Sequence, residues 1–336
     1  MLYIRTDMND VIATGHMMRC LAIADAAKEQ GEETVFLLAD DAARTLLAQR
    51  GYAYRILYTK WNAMEQELSR LEEIIQELGI ARLLIDSYQV TEAYLRRLSA
   101  LVETYYIDDR NAFVYPVNGL ICYTGYYAKF DYPARYPDAR LYLGTAYAPL
   151  RRAFCGCPAK AISERAKRLL LLSGGSDPHD MLAGLLFRLK DEGFCRIDVI
   201  CGMYHGGYAQ LKETYRTEEA VHIHRAVSDI EQYMRQTDLA VSAGGMTLYE
   251  LCACGVPSVS FTFADNQLDN ARQMEADGLM DYAGDDRRDD VISNAVRLIR
   301  RLRDDAALRE ERSQRMQKLV DGKGAERIAA VLSAVF

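Results

Sequence analysis

Short apolar runs and longer periodic stretches take turns along most of this chain. Leu2-Tyr3-Ile4, Val35-Phe36-Leu37-Leu38, Leu83-Leu84-Ile85 and Tyr105-Tyr106-Ile107 are compact runs of the first kind, as expected of strands buried on both faces. Between them, apolar residues return at every third or fourth position, the spacing of one helix face. The pattern predicts strands over residues 2–7, 33–39, 53–57, 82–86 and 105–108. Helices are expected over 21–30, up to Arg50 with Gly51 as its stop, over 62–78 stopped by Gly79, and over 91–103. The second half repeats the order, with strands at 168–172, 196–201, 220–224, 238–242 and 258–261. Helices lie between them and from Asp286 onward. Such alternation implies an α/β protein with parallel sheets covered on both faces. In sheets of this kind ligands gather at the carboxyl ends of the strands.

The alternation loosens between residues 112 and 149, where eight tyrosines from Tyr115 to Tyr147 crowd among prolines. A chain of 336 residues is long for one α/β domain, so two domains are expected. The boundary falls near Leu150 to Phe154, giving an N-terminal domain over 1–150 and a C-terminal domain over 151–336.

The stretch Thr14-Gly15-His16-Met17-Met18-Arg19 sits where the first strand gives way to the first helix. An imidazole there lies close to free backbone N–H groups, whose positive potential disfavours the imidazolium form. A neutral histidine at a strand–helix mouth can accept a proton, as a general base must. The competing reading is a histidine that helps to cap its own helix. Asp86-Ser87-Tyr88 and Asp108-Asp109 also fall at predicted strand ends, which strengthens the functional reading of all three places.

Composition narrows the picture. Half of the residues are hydrophobic and 26% are charged, an ordinary balance for a soluble globular protein. No apolar run is long enough to span a bilayer and no secretory signal opens the chain, so a cytoplasmic protein is expected. A net charge of -7 argues against a nucleic-acid or membrane partner; no protein partner is inferable. The eight cysteines lack zinc or thioredoxin spacing and read as reduced core thiols. His222 and His224 share one face of a strand, a spacing two metal ligands could use, but no third ligand suggests itself. No metal and no cofactor is expected.

Two glycine pairs carry the chemistry of the second half. Ser173-Gly174-Gly175-Ser176 and Ser242-Ala243-Gly244-Gly245-Met246-Thr247 each follow a strand and open a helix. Glycines let backbone approach a ligand closely, and a helix start supplies N–H donors for a phosphate. Two such loops in one domain suit a diphosphate. Glu250 admits two readings: ribose acceptor, or partner of Thr247 in a capping box. Asn266 and Gln267, at the start of the next helix, carry donors and acceptors suited to sugar hydroxyls or acetamido groups. Asp265 beside them reads as a helix N-cap.

These motifs together resemble a known group. Ser-Ala-Gly-Gly-Met-Thr-Leu-Tyr-Glu-Leu-Cys-Ala-Cys-Gly-Val-Pro, followed by Asp-Asn-Gln, resembles the nucleotide-sugar half of GT-B enzymes such as the UDP-N-acetylglucosamine transferase of peptidoglycan synthesis. Thr-Gly-His-Met-Met-Arg-Cys-Leu is similar to the GHxxR stretch of the UDP-2,4-diacetamido-2,4,6-trideoxy-β-L-altropyranose hydrolases (PseG) and their spore-coat relatives (SpsG). Asp86-Ser87-Tyr88, Ile107-Asp108-Asp109, Gly174-Gly175-Ser176-Asp177 and the segment from Asp321 to Arg327 fall in that family's order. Relatives often carry glycine where Ala13 stands.

The resemblance implies a GT-B fold, two Rossmann-like domains with parallel sheets facing across a cleft. It implies a cytoplasmic hydrolase that removes UDP from an activated diacetamido sugar with inversion at C1 and without a metal, in pseudaminic acid or surface polysaccharide synthesis. His16 then matches the catalytic histidine, Glu250 the UDP-binding glutamate and Asn266 an asparagine beside the sugar. Gly15, Tyr88, Gly174, Gly175, Ser176, Gly244, Gly245, Met246, Thr247 and Gln267 complete the expected substrate site. The alternatives are a GT-B glycosyltransferase using a UDP-N-acetylhexosamine donor, a UDP-sugar 2-epimerase, and a binding protein without turnover.

Overall fold

The structure is a computed structural model that describes residues 1–333. It divides into two compact units, Met1–Arg152 with Gly322–Phe336, and Ala153–Asp321. Each is built on one parallel sheet.

In the first unit the strands are β1 (Leu2–Thr6), β2 (Thr34–Leu38), β3 (Ala53–Ile56), β4 (Arg82–Asp86), β5 (Glu103–Ile107), β6 (Gly119–Cys122) and β7 (Arg140–Leu143). Their order across the sheet is β3-β2-β1-β4-β5-β6-β7. The helices are α1 (Gly15–Glu29), α2 (Arg44–Arg50), α3 (Leu68–Leu78), α4 (Glu92–Ser99) and the short α5 (Tyr132–Arg135). β1 is buried at every residue and β2, β4 and β5 at all but one, which is why they read as apolar runs. Gly51 (φ 72°) and Gly79 (φ 59°) end α2 and α3 in the left-handed conformation that favours glycine.

The second unit holds β8 (Arg168–Leu172), β9 (Arg196–Cys201), β10 (Val221–Arg225), β11 (Leu239–Ala243), β12 (Ser258–Thr262) and β13 (Asp281–Asp285), in the order β10-β9-β8-β11-β12-β13. Its helices are α6 (Met181–Leu189), α7 (Tyr208–Thr214), α8 (Ile230–Gln236), α9 (Thr247–Cys254), α10 (Asp265–Ala276), α11 (Val291–Asp304) and α12 (Ala306–Leu319). Leu185, Val199, Val241, Phe261 and Ile299 are among the residues of its core.

The structure departs from the sequence expectations in four places. Residues 64–67 form a 3₁₀ turn ahead of α3 because Glu67 turns inward to the buried Arg5. The helix expected over 91–103 stops at Ser99, where Leu101 and Val102 turn back onto Leu98 to lead into β5. The tyrosine-rich region contributes β6 and β7, and β13 precedes the last helices; these strands are short or polar at their ends, so no apolar run marks them. The final helix α13 (Gly324–Ser333) belongs to the first unit rather than to a second domain running to residue 336.

The physical reason for that return is a matched surface. Ala325, Ile328, Ala329 and Leu332 form a buried stripe on α13, which packs on the alanine-rich α1. Gln30 donates to the Glu326 carbonyl (3.0 Å), Arg327 to the Ala146 carbonyl (2.8 Å) and Arg82 to the Leu332 carbonyl (2.7 Å). A Cβ on Gly324 would lie 2.1 Å from the Ala148 carbonyl oxygen, so only glycine allows that approach. Among the described residues no helix is long and apolar enough to cross a membrane.

Candidate functional site

Strand order reverses direction between β1 and β4, the topological switch point where α/β sheets open a crevice. Thr6 of β1 pairs with Asp86 of β4, so both strands end side by side. The chain leaving β1 reaches α1 at Gly15, and His16 is in that helix's first turn. Its Nδ1 lies 2.7 Å from Asp86 Oδ1. Arg19, one turn on along the same helix face, donates from Nε to Asp86 Oδ2 (2.6 Å) and from Nη2 to Oδ1. All three side chains are buried.

Charge decides the histidine's working nitrogen. Burial by itself favours a neutral Asp86; the Arg19 guanidinium, and then His16, outweigh it and hold this carboxyl well below the usual carboxylate range. An ionised Asp86 accepts from Nδ1–H, which leaves the Nε2 lone pair as the proton acceptor. Arg19 Nη2 also stands 3.0 Å from Nδ1, since both donors converge on one carboxylate oxygen. His16 therefore spends its ring nitrogen on a residue seventy positions away, and α1 begins without a side-chain cap. The capping alternative for His16 is not what the geometry displays.

A second acid braces the first arrangement. Asp109, just beyond β5, accepts from Tyr88 (2.8 Å), Tyr123 (3.2 Å) and Arg19 Nη1 (3.4 Å) through Oδ2. Tyr88 lies edge-on to His16 with ring centroids 4.5 Å apart, and Arg110 covers the Tyr88 ring. Its neighbour Asp108 has a different task. It accepts from Tyr115 (3.0 Å), from Tyr132 and from the backbone of Arg110 and Asn111, and burial shifts its carboxyl upward. The tyrosine cluster thus holds two adjacent aspartates, one locking a turn and one facing the His16 network. A small pocket beside His16 is walled by Trp61, Tyr88, Gln89 and Ile12.

The second sheet repeats the switch point between β8 and β11, and both glycine loops emerge there. Gly174 has φ 85°, a conformation that favours glycine. The loop is pressed against Gly202, where a Cβ would lie 2.2 Å from the Gly174 carbonyl oxygen; Tyr204 N–H donates to the Gly175 carbonyl (3.0 Å). Ser176 is half-buried beside it. Asp177 then caps α6, accepting from the backbone of Met181 (3.0 Å) and Leu182 (2.9 Å). That carboxylate already occupies the α6 start, so the helix cannot also offer those donors to a phosphate.

The start of α9 is open by comparison. Its cap residue is Met246, with no side-chain cap, and Thr247 is already the first helical residue. The capping box, the alternative reading of Thr247 and Glu250, does not form because Thr247 stands one position too late to make it. Gly244 is packed closely, 3.0 Å from Gln267 backbone oxygen to its hypothetical Cβ, whereas Gly245 has open space. Asn270, buried on α10, donates to the carbonyls of Gly244 (3.0 Å) and Gly245 (3.2 Å) and accepts from Tyr249 (2.7 Å). This clamp turns the loop's carbonyls inward. Met246, Thr247 and Glu250 are half-buried around it.

At the start of α10, Asn266 is exposed, while the Gln267 amide oxygen accepts from Phe263 N–H (3.0 Å). Asp265 is not the N-cap, which is Ala264; its carboxylate pairs with Arg287 at 2.7 Å. The structure therefore gathers His16 and Tyr88 with Gly15 in the first unit, and the two glycine loops with Glu250, Asn266 and Gln267 in the second. Asn270, Tyr123 and the pairings of Arg19, Asp86 and Asp109 were not legible as functional. A buried asparagine and a strand-end acid carry no periodic signal, though His16 and Arg19 at i and i+3 already shared a helix face.

Elsewhere, His224 Nε2 pairs with Asp198 (2.8 Å). All eight cysteines are free thiols; Cys195 is exposed and Cys155 and Cys157 are half-buried, so not all are core residues as expected.

Comparison with known proteins agrees with the architecture. Residues 169–328 match the model of the glycosyltransferase family 28 C-terminal domain. The spore coat polysaccharide biosynthesis protein SpsG of Bacillus subtilis is 24% identical over 208 residues, which cover 59% of this chain and 60% of that protein. The uncharacterized protein MJ1062 of Methanocaldococcus jannaschii is 28% identical over 127 residues, 35% of this chain and 26% of that one. The chain thus spans less than two thirds of the length of these curated relatives. The crystal structure of MurG from Acinetobacter baumannii superposes with a TM-score of 0.71 at 13% identity, covering 98% of each chain. The protein has the GT-B fold, two Rossmann-like units on parallel sheets. Within that class, its second unit is similar to the family 28 C-terminal domain and the chain has a weak likeness to SpsG.

Proposed function

We propose that this chain hydrolyses a UDP-activated diacetamido-trideoxy sugar, releasing UDP with inversion at C1, for nonulosonic acid or surface polysaccharide synthesis. The observation that carries the reading is the His16–Asp86–Arg19 constellation at the switch point of the first sheet. His16 Nε2 takes a proton from water; the water oxygen bonds to C1; the bond from C1 to the phosphate oxygen breaks and its electron pair leaves with UDP. Asp86 keeps the imidazole in the accepting tautomer and steadies the imidazolium as it forms, the role an orienting carboxylate has beside a general base. UDP needs no strong general acid to depart when N–H donors meet the developing charge.

In this reading the second unit holds the nucleotide. Gly244, Gly245, Met246 and Thr247 at the uncapped α9 start receive the diphosphate, with Gly174, Gly175 and Ser176 closing on it through backbone. Glu250 accepts from the ribose hydroxyls, and Asn266 with the amide nitrogen of Gln267 meets the acetamido sugar. Gly15 and Tyr88 border the reacting carbon. The name of the relative SpsG supports a polysaccharide setting.

A second reading is favoured by the family 28 match and the likeness to MurG: a glycosyltransferase with a UDP-N-acetylhexosamine donor, in which His16 deprotonates an acceptor hydroxyl. One experiment separates the two. Purified protein is incubated with UDP-diacetamido sugars and with UDP-N-acetylglucosamine in ¹⁸O-labelled water, and the products are weighed by mass spectrometry. Hydrolysis at C1 puts the label in the released sugar. Label in UDP means attack at phosphorus, and no UDP release without an added acceptor returns the protein to the transferase reading.

A further inference from the structure

The thiols of Cys157 and Cys254 lie 3.8 Å apart in the second unit, far from each other in sequence. Cys254 is the last residue of α9 and is buried; Cys157 is half-buried in the segment that opens the unit. The chain just after Cys157 is fastened at two points. Gln317 of α12 donates to the carbonyls of Pro158 (2.9 Å) and Ala253 (3.3 Å), tying the segment to the end of α9. Lys160 donates to the carbonyls of Met234 (3.2 Å) and Arg235 (3.0 Å) at the end of α8. The two sulfurs are thus held in contact by bonds that do not involve them.

We propose that Cys157 and Cys254 are a reversible oxidation site that closes to a disulfide when Cys157 meets a peroxide. Cys157 is the attacking thiol. As a thiolate its sulfur accepts from Cys254 S–H, and Arg235 Nη2 lies 3.6 Å away. The Cys254 S–H and the Arg235 guanidinium outweigh burial and lower the Cys157 thiol below its ordinary value, which favours the thiolate that attacks a peroxide. Cys254 is kept as the thiol by the same contact. The thiolate's electron pair forms a bond to one peroxide oxygen, the O–O bond breaks, and hydroxide leaves to be protonated to water. Cys157 is now a neutral sulfenic acid, and the negative charge that held the Cys254 proton is gone. Cys254 sulfur attacks Cys157 sulfur, the S–O bond breaks, and hydroxide departs with the Cys254 proton as a second water. Two thiols lose two electrons and two protons, and one peroxide is reduced.

The bond ties the opening segment of the unit to the far end of the helix that follows Gly244-Gly245. It stands independently of the reaction proposed above. The test uses the full chain, reduced, desalted and treated with equimolar hydrogen peroxide, then digested without reductant. A Cys157–Cys254 linked peptide that disappears on treatment with dithiothreitol is expected. In Cys157→Ser, which cannot form that link, Cys254 should be recovered as a free thiol without a new partner. In Cys254→Ser, dimedone should label Cys157 in preference to the exposed Cys195. Peroxide that oxidises Cys195 first, a Cys155–Cys157 link instead, or Cys157 and Cys254 both recovered as free thiols would overturn the proposal.

Discussion

The two units share one strand order over six strands, to which the first adds β7, but they present opposite materials at its switch point. At the β1/β4 switch point the first unit sets out ionisable side chains, His16, Arg19, Asp86 and Asp109, that pair with one another in a buried network. At the β8/β11 switch point the second unit sets out backbone, two glycine loops braced from behind by Gly202 and Asn270. A proton has to be moved by a group whose charge can change, and so by a side chain. A diphosphate needs many donors at short range, which backbone freed of side chains provides. In the function proposed above, the first unit does the chemistry while the second holds the nucleotide.

The comparison is most exposed at His16. His16→Ala should lower turnover by about 10²–10⁴-fold, the usual contribution of a general base, with UDP affinity by calorimetry unchanged. Near-native turnover removes His16 from the mechanism, and a large loss of UDP affinity erases the division between the units.

Asp86→Ala tests stability at the same place. It leaves the buried Arg19 without its carboxylate, a change that typically costs about 3–5 kcal/mol, read as a drop in the denaturation midpoint. The sign with pH follows from the lowered pKa of Asp86. Its pairing contributes fully above the unfolded carboxylate value, near 4, and is lost as pH falls through the lower folded value. Asp86→Asn should therefore lose stability at neutral pH and show a flatter acid limb than the native chain. An unchanged acid limb would mean that other carboxylates govern it.

On the second unit the effects should appear in binding. Glu250→Gln removes a charge-assisted hydrogen bond, and UDP should bind more weakly by roughly 1.5–3 kcal/mol with little change in melting temperature. Asn270→Leu frees the glycine-loop carbonyls and should both weaken UDP and lower stability, by roughly 1–3 kcal/mol for buried groups left unpaired. If either variant binds UDP normally yet turns over slowly, the nucleotide is not held here.

The smallest effect belongs to Ala13. It has φ 55°, in the left-handed region, where a residue with a Cβ is less stable by roughly 1–2 kcal/mol. Ala13→Gly relieves this at the approach to His16, although glycine gains entropy in the unfolded chain. A rise of a few degrees in melting temperature is expected; a fall would show that the unfolded-state term dominates.

Local pattern alone determined that the protein is α/β, where most central strands and helices lie, and that His16 and both glycine pairs sit at strand ends. Apolar runs and periods of three to four residues are written by neighbours a few positions apart, and glycine stops at Gly51 and Gly79 are local conformational facts. Partnership is not local. Asp86 reaches His16 because β4 pairs beside β1 in a register that sets Thr6 against Asp86. Asn270 clamps the Gly244 loop because α10 follows the neighbouring strand β12. Asp177 turned back to cap α6, and Thr247 fell one residue inside α9, so one expected phosphate donor set closed and the capping-box alternative for Glu250 was lost. The return of α13 to α1 rests on two apolar faces three hundred residues apart in the chain. Strand order, register and face-to-face packing join residues that no sequence period connects, and those joins, rather than the elements themselves, make the candidate site.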